Sequence, residues 1–258
     1  MTTGARAKQA AALTGGLGRA ALLGLAFVSA LGRPRVWLGP TVSEASRQAS
    51  DTLPLALLLS TLGGALIALQ TGYQFQGNLP SWVVGSIVSS SVVTESTPLF
   101  IGLALIGMIG TRIAAELGTM QVTEQVDALE VMGRDPVPHL VVPRVLAAMF
   151  VGPAVMVFGL VVSMLSGWWC AVTATHATSV DFWYGVHQYM RDFPLFFALI
   201  KGFSFGGATA FAACYMGLEA TGGSIGVGRT VRAAVVAMLV VLIALDTALV
   251  PLLKVIRI

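Results

Sequence analysis

The chain has 258 residues, of which 56% are apolar and only 10% are charged, and its formal net charge is +3. A soluble domain averages roughly 25% charged residues, so this composition excludes an ordinary soluble domain, whose surface so few charges could not cover. The small net charge and the scattered basic residues also argue against nucleic acid as a partner. The composition therefore indicates an integral membrane protein.

The N-terminal stretch Ala10–Leu31 is apolar but is interrupted by Arg19 and by four glycines. One interpretation is a helix that lies in the membrane interface, and the basic residues that follow favour such a retained cytoplasmic segment. The alternative is a cleaved signal peptide, in which Arg6 and Lys8 precede the apolar run Ala20–Val28 and small residues follow. Both interpretations remain open on the sequence.

Five later stretches come close to or exceed the length of about 20 mostly apolar residues that a membrane-spanning helix needs. They are Thr52–Gln70, Pro98–Ala115, Val145–Thr173, Phe193–Gly217 and Ala233–Leu253. The sequence thus predicts an all-α membrane protein, with an N-terminal region over 1–51 and a five-helix membrane domain over 52–258. Ser81–Val93 is uncharged but short for a span. It could be a re-entrant piece, a helix on the outer side of the bundle, or the continuation of a long first hairpin.

The distribution of basic residues predicts the orientation. With the N-terminus in the cytoplasm, the inside segments carry eleven Lys and Arg residues and the outside segments carry three. Short cytoplasmic loops are enriched in these residues, so the bias favours this orientation. The C-terminus is then expected outside.

A charged segment, about 118–136, separates the second and third spans. It predicts a short amphipathic helix over Gln121–Met132, ended by Gly133 and Pro136. The helix has an apolar face at i, i+4, i+7 and an acidic face at i, i+3, i+6, which are Val122, Val126 and Leu129, and Glu124, Asp127 and Glu130. Such a helix could transmit the position of a soluble partner to the bundle, although an ordinary solvated loop helix has the same pattern.

The run Ala115–Pro136, followed by Leu140–Arg144, resembles the signature of the MlaE/YrbE family, the permeases of MCE-associated ABC transporters. Weaker matches extend over most of the chain and comprise Leu69-Gln70 with Gly72-Tyr73, Glu95 with Pro98, Lys201, the glycine-rich turn Gly222–Gly228, and Leu245-Asp246. Two positions depart from the family pattern: Thr94 and Met108 stand where the family often has arginine, although Arg112 lies one turn beyond Met108.

The resemblance implies an interfacial helix, five spans, and a cytoplasmic coupling helix between the second and third spans on which an ATPase docks. The residues implied for coupling are Glu116, Thr123, Glu124, Gln125, Asp127, Ala128, Leu129, Glu130, Met132 and Asp135. Those implied for the lipid cavity are Leu66, Leu69, Gln70, Tyr73, Glu95 and Pro98.

The resemblance also implies a lipid transporter in the bacterial inner membrane that moves phospholipid or a related lipid between that membrane and the periplasm or outer membrane. The implied partners are an ABC ATPase, a periplasmic MCE protein that is usually hexameric, a second permease copy, a small STAS-type cytoplasmic protein and membrane lipid. No cofactor is expected on this chain, because its sequence has no G-x-x-x-x-G-K-[ST] loop, and ATP and Mg²⁺ would bind the partner. The alternative is a scaffold subunit that anchors a partner without forming the lipid path.

Ionisable residues at membrane depth are costly and are functional candidates by default. Glu95 is expected to line the lipid cavity, to pair with a cation or to be an exposed interfacial carboxylate. Lys201 is expected to extend toward the membrane surface rather than to contact a lipid phosphate, and Asp246 is expected to face the bundle or a dimer seam. An intramembrane enzyme built on Glu95 or Asp246 lacks a nucleophile–base pair at helical spacing. The cysteines, Cys170 and Cys214, lie in apolar runs and predict no metal site.

Overall fold

The computed structural model describes residues 15–74, 80, 82–174, 178–189 and 192–256, and the regular structure in these ranges is helical. We number the helices α1 to α8 in chain order. They are α1 Gly15–Ala30, α2 Pro34–Gln74, α3 Trp82–Val122, α4 Gln125–Val131, α5 Val137–Ala174, α6 Ser179–Tyr189, α7 Asp192–Leu218 and α8 Gly223–Ile256. Residues 10–14 of the predicted N-terminal helix lie outside the described ranges, as do several of the charged residues used to predict orientation.

Five of these helices, α2, α3, α5, α7 and α8, are long and apolar enough to cross a membrane. The sequence predicts the same number of spans, and each predicted span lies within one of them. The chain is therefore an all-α, multi-pass membrane protein.

The helices α2 and α3 are longer than the spans that hydropathy predicts. Each has 41 residues, or about 60 Å at 1.5 Å per residue, against a hydrocarbon thickness of about 30 Å. Helix α2 begins 18 residues before the predicted span and continues through the proposed division at residue 51. In α3, the segment from Trp82 to Val93 is continuous with the second span, so it is not a separate re-entrant piece but lengthens the hairpin that α2 and α3 form, which is one of the alternatives that the sequence left open.

Small residues set the closest helix crossings. A Cβ atom at Gly64 of α2 would overlap Ser163 O of α5, and one at Gly152 of α5 would overlap Gly202 O of α7. Apolar surface gains little by packing inside a membrane, so van der Waals contact at small residues contributes much of the packing energy. A Cβ atom at Gly63 of α2 would likewise overlap the Phe100 side chain of α3.

Two ends of the bundle matter for function. The α4 end carries α4, the first turns of α2 and α8, and α1, whose Arg19 forms an ion pair with Glu219 at 3.1 Å. Tyr215 Oη also donates a hydrogen bond to Gly16 O at 2.9 Å. The opposite end, the α6 end, carries α6, which packs on the first third of α3.

The glycine-rich stretch 222–228 is not the flexible turn that the sequence predicts. Gly222 and Gly223 have φ angles of +86° and +66°, which glycine adopts without strain. Helix α8 begins at Gly223, so the later glycines, up to Gly228, are helical.

Candidate functional site

The connection between α3 and α5 projects from the α4 end and contains α4. Helix α3 ends at Val122, and Glu124 has a φ angle of +59°, so the chain turns before α4 starts at Gln125. The sequence predicts one helix over Gln121–Met132, and this prediction is wrong at its first turn. A left-handed residue at position 124 interrupts the helix, and periodicity alone gives no sign of such a break.

Local hydrogen bonds fix the C-terminal end of α4 and the start of α5. Gly133 has a φ angle of +77°, and its N–H donates to Glu130 O at 3.0 Å. The N–H of Arg134 donates to Leu129 O at 3.0 Å, which completes a Schellman motif. Asp135 Oδ1 then accepts a hydrogen bond from the Val137 N–H at 3.0 Å, where α5 begins. The predicted stop at Gly133 is confirmed.

The exposed surface of α4 is both acidic and apolar. Val126 is buried and anchors the helix, whereas Glu124, Asp127 and Glu130 are exposed, as the predicted acidic face requires. The sequence did not single out Val131, which is 89% exposed beside Met132 at 66%. An exposed apolar patch rimmed by charges is typical of a protein-binding surface. The sequence feature that could have indicated this exposed patch is the pair of apolar residues immediately before Gly133.

A cluster of charged residues, here called the arginine cluster, joins three helices beside α4. Its members are Arg47, Glu44 and Asp51 of α2, Arg112 and Glu116 of α3, and Arg144 of α5. Arg112 contacts Glu44 at 2.7 Å and also pairs with Asp51. Glu116 contacts the other two arginines, Arg47 at 3.3 Å and Arg144 at 3.4 Å.

Glu116 therefore lies in a different setting from the other residues implied for coupling. It is 28% exposed and is surrounded by three guanidinium groups, whereas the α4 residues face outward. Partly buried pairs lose much when one partner is removed, because the other charge is left without compensation. The cluster thus fixes the relative positions of α2, α3 and α5 near the point where α3 leads into α4.

A second cluster, here called the lysine cluster, lies in the half of the bundle nearer the α6 end. Lys201 of α7 is fully buried, and its Nζ contacts Asp246 Oδ1 of α8 at 2.7 Å. The same Nζ donates to Thr94 O at 2.7 Å and to Glu95 Oε2 at 3.4 Å. The expectation that Lys201 extends to the membrane surface is wrong, because carboxylates from two other helices reach it inside the bundle. Asp246 faces the bundle, one of the two placements that the sequence predicts.

Glu95 lies in one of two short π-helical turns of α3, Val92–Ser96, the other being Ile106–Gly110. A π-helical turn shifts the helix face by inserting one residue, and such turns are frequent at functional sites. Here the turn presents Thr94 O and the Glu95 carboxylate to Lys201. The Glu95 side chain nevertheless remains 50% exposed.

The exposed side of Glu95 opens into an apolar groove of about 220 Å³ between α2 and α3. The groove is lined by Gly63, Leu66, Ile67, Glu95, Ser96, Leu99 and Phe100. Of the residues implied for the lipid cavity, the structure brings Leu66 and Glu95 together here. Gln70 and Tyr73 are exposed further along α2, Leu69 is half-buried, and Pro98 is buried outside the groove lining.

A second apolar groove, of about 460 Å³, lies where α3, α5, α6 and α7 meet. Its lining, which includes Val93, Trp183 and Leu199, is uncharged. It can accommodate hydrocarbon, and its described lining residues include no carboxylate, lysine or arginine that would bind a charged headgroup.

Comparison with known proteins gives one family match. A family model described as "Permease MlaE" matches residues 41–252. A probable ABC transporter permease protein of Rickettsia conorii is 30% identical over 220 residues, which cover 85% of this chain and 85% of that protein. A probable ABC transporter permease protein of Synechocystis is 31% identical over 199 residues, covering 77% of this chain and 76% of that protein.

A plant relative extends the comparison. The chloroplastic protein trigalactosyldiacylglycerol 1 of Arabidopsis thaliana is 31% identical over 218 residues. The match covers 81% of this chain and 60% of the plant protein.

Proposed function

Because the chain belongs to the MlaE permease family, we propose that it is the membrane-spanning subunit of an ABC transporter that moves phospholipid or a related lipid. The family identifies a transport subunit rather than an enzyme. The cargo, the docking surface and the other partners are part of the proposal.

The observation that carries the proposal is the geometry of α4. The helix is short, is capped at its end, exposes acidic and apolar side chains, and follows directly from α3. The arginine cluster ties the base of α3 to α2 and α5. A soluble subunit that moves α4 would therefore move α3 against a fixed set of contacts. We assign α4 as the coupling helix on which an ATPase docks.

ATP hydrolysis then belongs to the partner. The sequence of this chain has no phosphate-binding loop with lysine, and its glycine-rich stretch at 222–228 begins a membrane helix rather than following a strand. ATP and Mg²⁺ would accordingly bind the ATPase subunit.

The groove beside Glu95 supports lipid as the cargo. Its walls are apolar, as an acyl chain requires, and a single carboxylate stands at one side. The plant relative bears the name of a glycosylated diacylglycerol, which is consistent with a lipid substrate.

The remaining assembly follows the same proposal. The chain would lie in the bacterial inner membrane with the α4 end in the cytoplasm, the N-terminus on that side and the C-terminus in the periplasm. A second permease copy would complete the lipid path, a periplasmic MCE protein would receive or supply lipid, and a small STAS-type protein would bind on the cytoplasmic side.

Charge reversal on α4 tests the docking surface. Glu124→Lys combined with Asp127→Lys is expected to abolish copurification of the ATPase while the chain remains in the membrane, because both carboxylates are exposed on the proposed docking surface and lie outside the membrane-spanning helices. The control is Asp181→Lys in α6, which reverses a carboxylate at the opposite end and should leave the ATPase bound. Retention of the ATPase by the α4 variant would show that α4 is not the docking helix. An ATPase that binds wild-type protein without any lipid movement would favour the scaffold alternative.

A further inference from the structure

The lysine of the lysine cluster is buried and paired, whereas one of its carboxylates is exposed to the groove. Lys201 is fully buried, and its ammonium donates hydrogen bonds to Thr94 O at 2.7 Å and to Glu95 Oε2 at 3.4 Å, while the Asp246 carboxylate forms an ion pair with it at 2.7 Å. Lys201 is not among the residues that line the groove. The Thr94 hydroxyl is also engaged, because it donates to Ser90 O at 2.6 Å.

Glu95, unlike Lys201, is exposed. Its side chain is 50% exposed and lines the groove, and its contact with Lys201 is the longest of the three and uses only Oε2. The other oxygen, Oε1, has no hydrogen-bond donor among the described residues, so it is available to a donor on a bound molecule. No lysine or arginine is among the residues that line this groove in the described part of the chain.

The lysine cluster carries one ammonium and two carboxylates, so its formal charge is −1. Charge–charge interactions strengthen as the surrounding dielectric constant falls, and this cluster lies among membrane-spanning helices. A carboxylate in excess at such a place favours a cationic hydrogen-bond donor and disfavours a second anion. An acyl chain against Leu66, Ile67 and Leu99 would place the polar end of a lipid near Glu95.

We propose that this groove selects lipids whose headgroup ends in a primary ammonium, and that Glu95 is the residue that binds this group. The inference rests on the proposed function as a lipid permease and adds to it a headgroup preference. Phosphatidylethanolamine and phosphatidylglycerol share the phosphate and the acyl chains, so that a preference between them reports the terminal group alone.

The test measures which lipid the purified full-length chain retains. The chain is reconstituted into bilayers with equal amounts of phosphatidylethanolamine and phosphatidylglycerol of matched acyl chains, extracted in mild detergent, and analysed by mass spectrometry for bound lipid. Wild-type protein is expected to be enriched several-fold in phosphatidylethanolamine over the bilayer composition. Glu95→Gln should bring this enrichment close to one, because the amide keeps the size of the side chain but removes the negative charge that would bind the ammonium.

Asp181→Asn is the matched control, since it removes a carboxylate near the same end but outside the groove lining. It should retain the wild-type enrichment. Equal enrichment in wild type and Glu95→Gln, or none in wild type while lipid is still bound, would overturn the headgroup inference alone. Wild-type protein that retains no lipid above a membrane-protein control would instead contradict the proposed lipid permease function.

Discussion

At the scale of single residues, Lys201 is the most constrained charge described in the bundle. It is fully buried, lies 4.9 Å from the centre of the Phe197 ring, and depends on Asp246 and on the backbone of α3 for its short contacts. A buried ammonium without a carboxylate is costly, since desolvation is no longer offset. The pair therefore stabilises the crossing of α7 and α8 as well as positioning Glu95.

Asp246→Ala tests this dependence. Breaking a buried ion pair by removing one partner costs about 3–5 kcal/mol. We expect the loss of stability for Asp246→Ala to lie toward the lower end of this range, because Glu95 remains near Lys201. Thermal unfolding of the detergent-purified chain would measure it. The double variant Lys201→Met with Asp246→Leu leaves no buried charge and should lose less stability than Asp246→Ala. A double variant that is as unstable as the single one would argue against the pair.

The sequence identifies Glu95, Lys201 and Asp246 as unusual because each is an ionisable residue in an apolar run. It does not pair them, since they lie on three different helices and their meeting depends on how those helices pack. For the same reason the prediction for Lys201 is wrong. A lysine in a membrane helix extends to the surface only when no carboxylate is within its reach inside the bundle. The sequence does not mark the other groove-lining residues, because they are ordinary residues of a membrane span. They are Gly63, Ile67, Ser96, Leu99 and Phe100.

At the scale of helices, the α5–α7 crossing depends on glycine. A Cβ atom at Gly206 of α7 would overlap Ala148 O of α5, so that the two backbones touch without an intervening side chain. Such close approach is typical of small-residue helix interfaces in membranes.

Gly206→Ala should therefore lower stability by about 1–3 kcal/mol, the usual cost of overpacking. Gly228→Ala is the matched control, because nothing lies within 4 Å of a Cβ atom at that helical position. It should be neutral or should stabilise α8 by up to about 1 kcal/mol through helix propensity. Thermal unfolding of both variants in the same detergent compares them, and equal effects would contradict a tight crossing at Gly206.

Hydropathy locates the centres of the membrane helices but not their ends. The first third of α2 is rich in polar and charged residues, and its helix is stabilised by the arginine cluster, whose partners come from α3 and α5. The start of α8 looks like a turn in the sequence because it is rich in glycine, yet the left-handed conformations at Gly222 and Gly223 complete the turn before the helix begins. The ends of these helices depend on contacts and backbone conformations in three dimensions, which the hydropathy of neighbouring residues does not report.

At the scale of the whole molecule, α3 connects the two candidate sites. Glu95 and Arg112 are 17 positions apart on this helix, or about 25 Å at 1.5 Å per residue. The same helix continues to Glu116 and ends at Val122, immediately before α4. A displacement of α4 would thus be transmitted to the groove through α3. The ion pairs of the arginine cluster would have to rearrange, or the three helices that they join would have to move together.

Native mass spectrometry of the assembly, purified from its own membranes in mild detergent, tests the proposed permease function. We expect the full chain to be isolated together with a P-loop ATPase subunit and with bound lipid. Isolation of the intact chain with neither an ATPase nor lipid would show that it is not the permease of a lipid transporter.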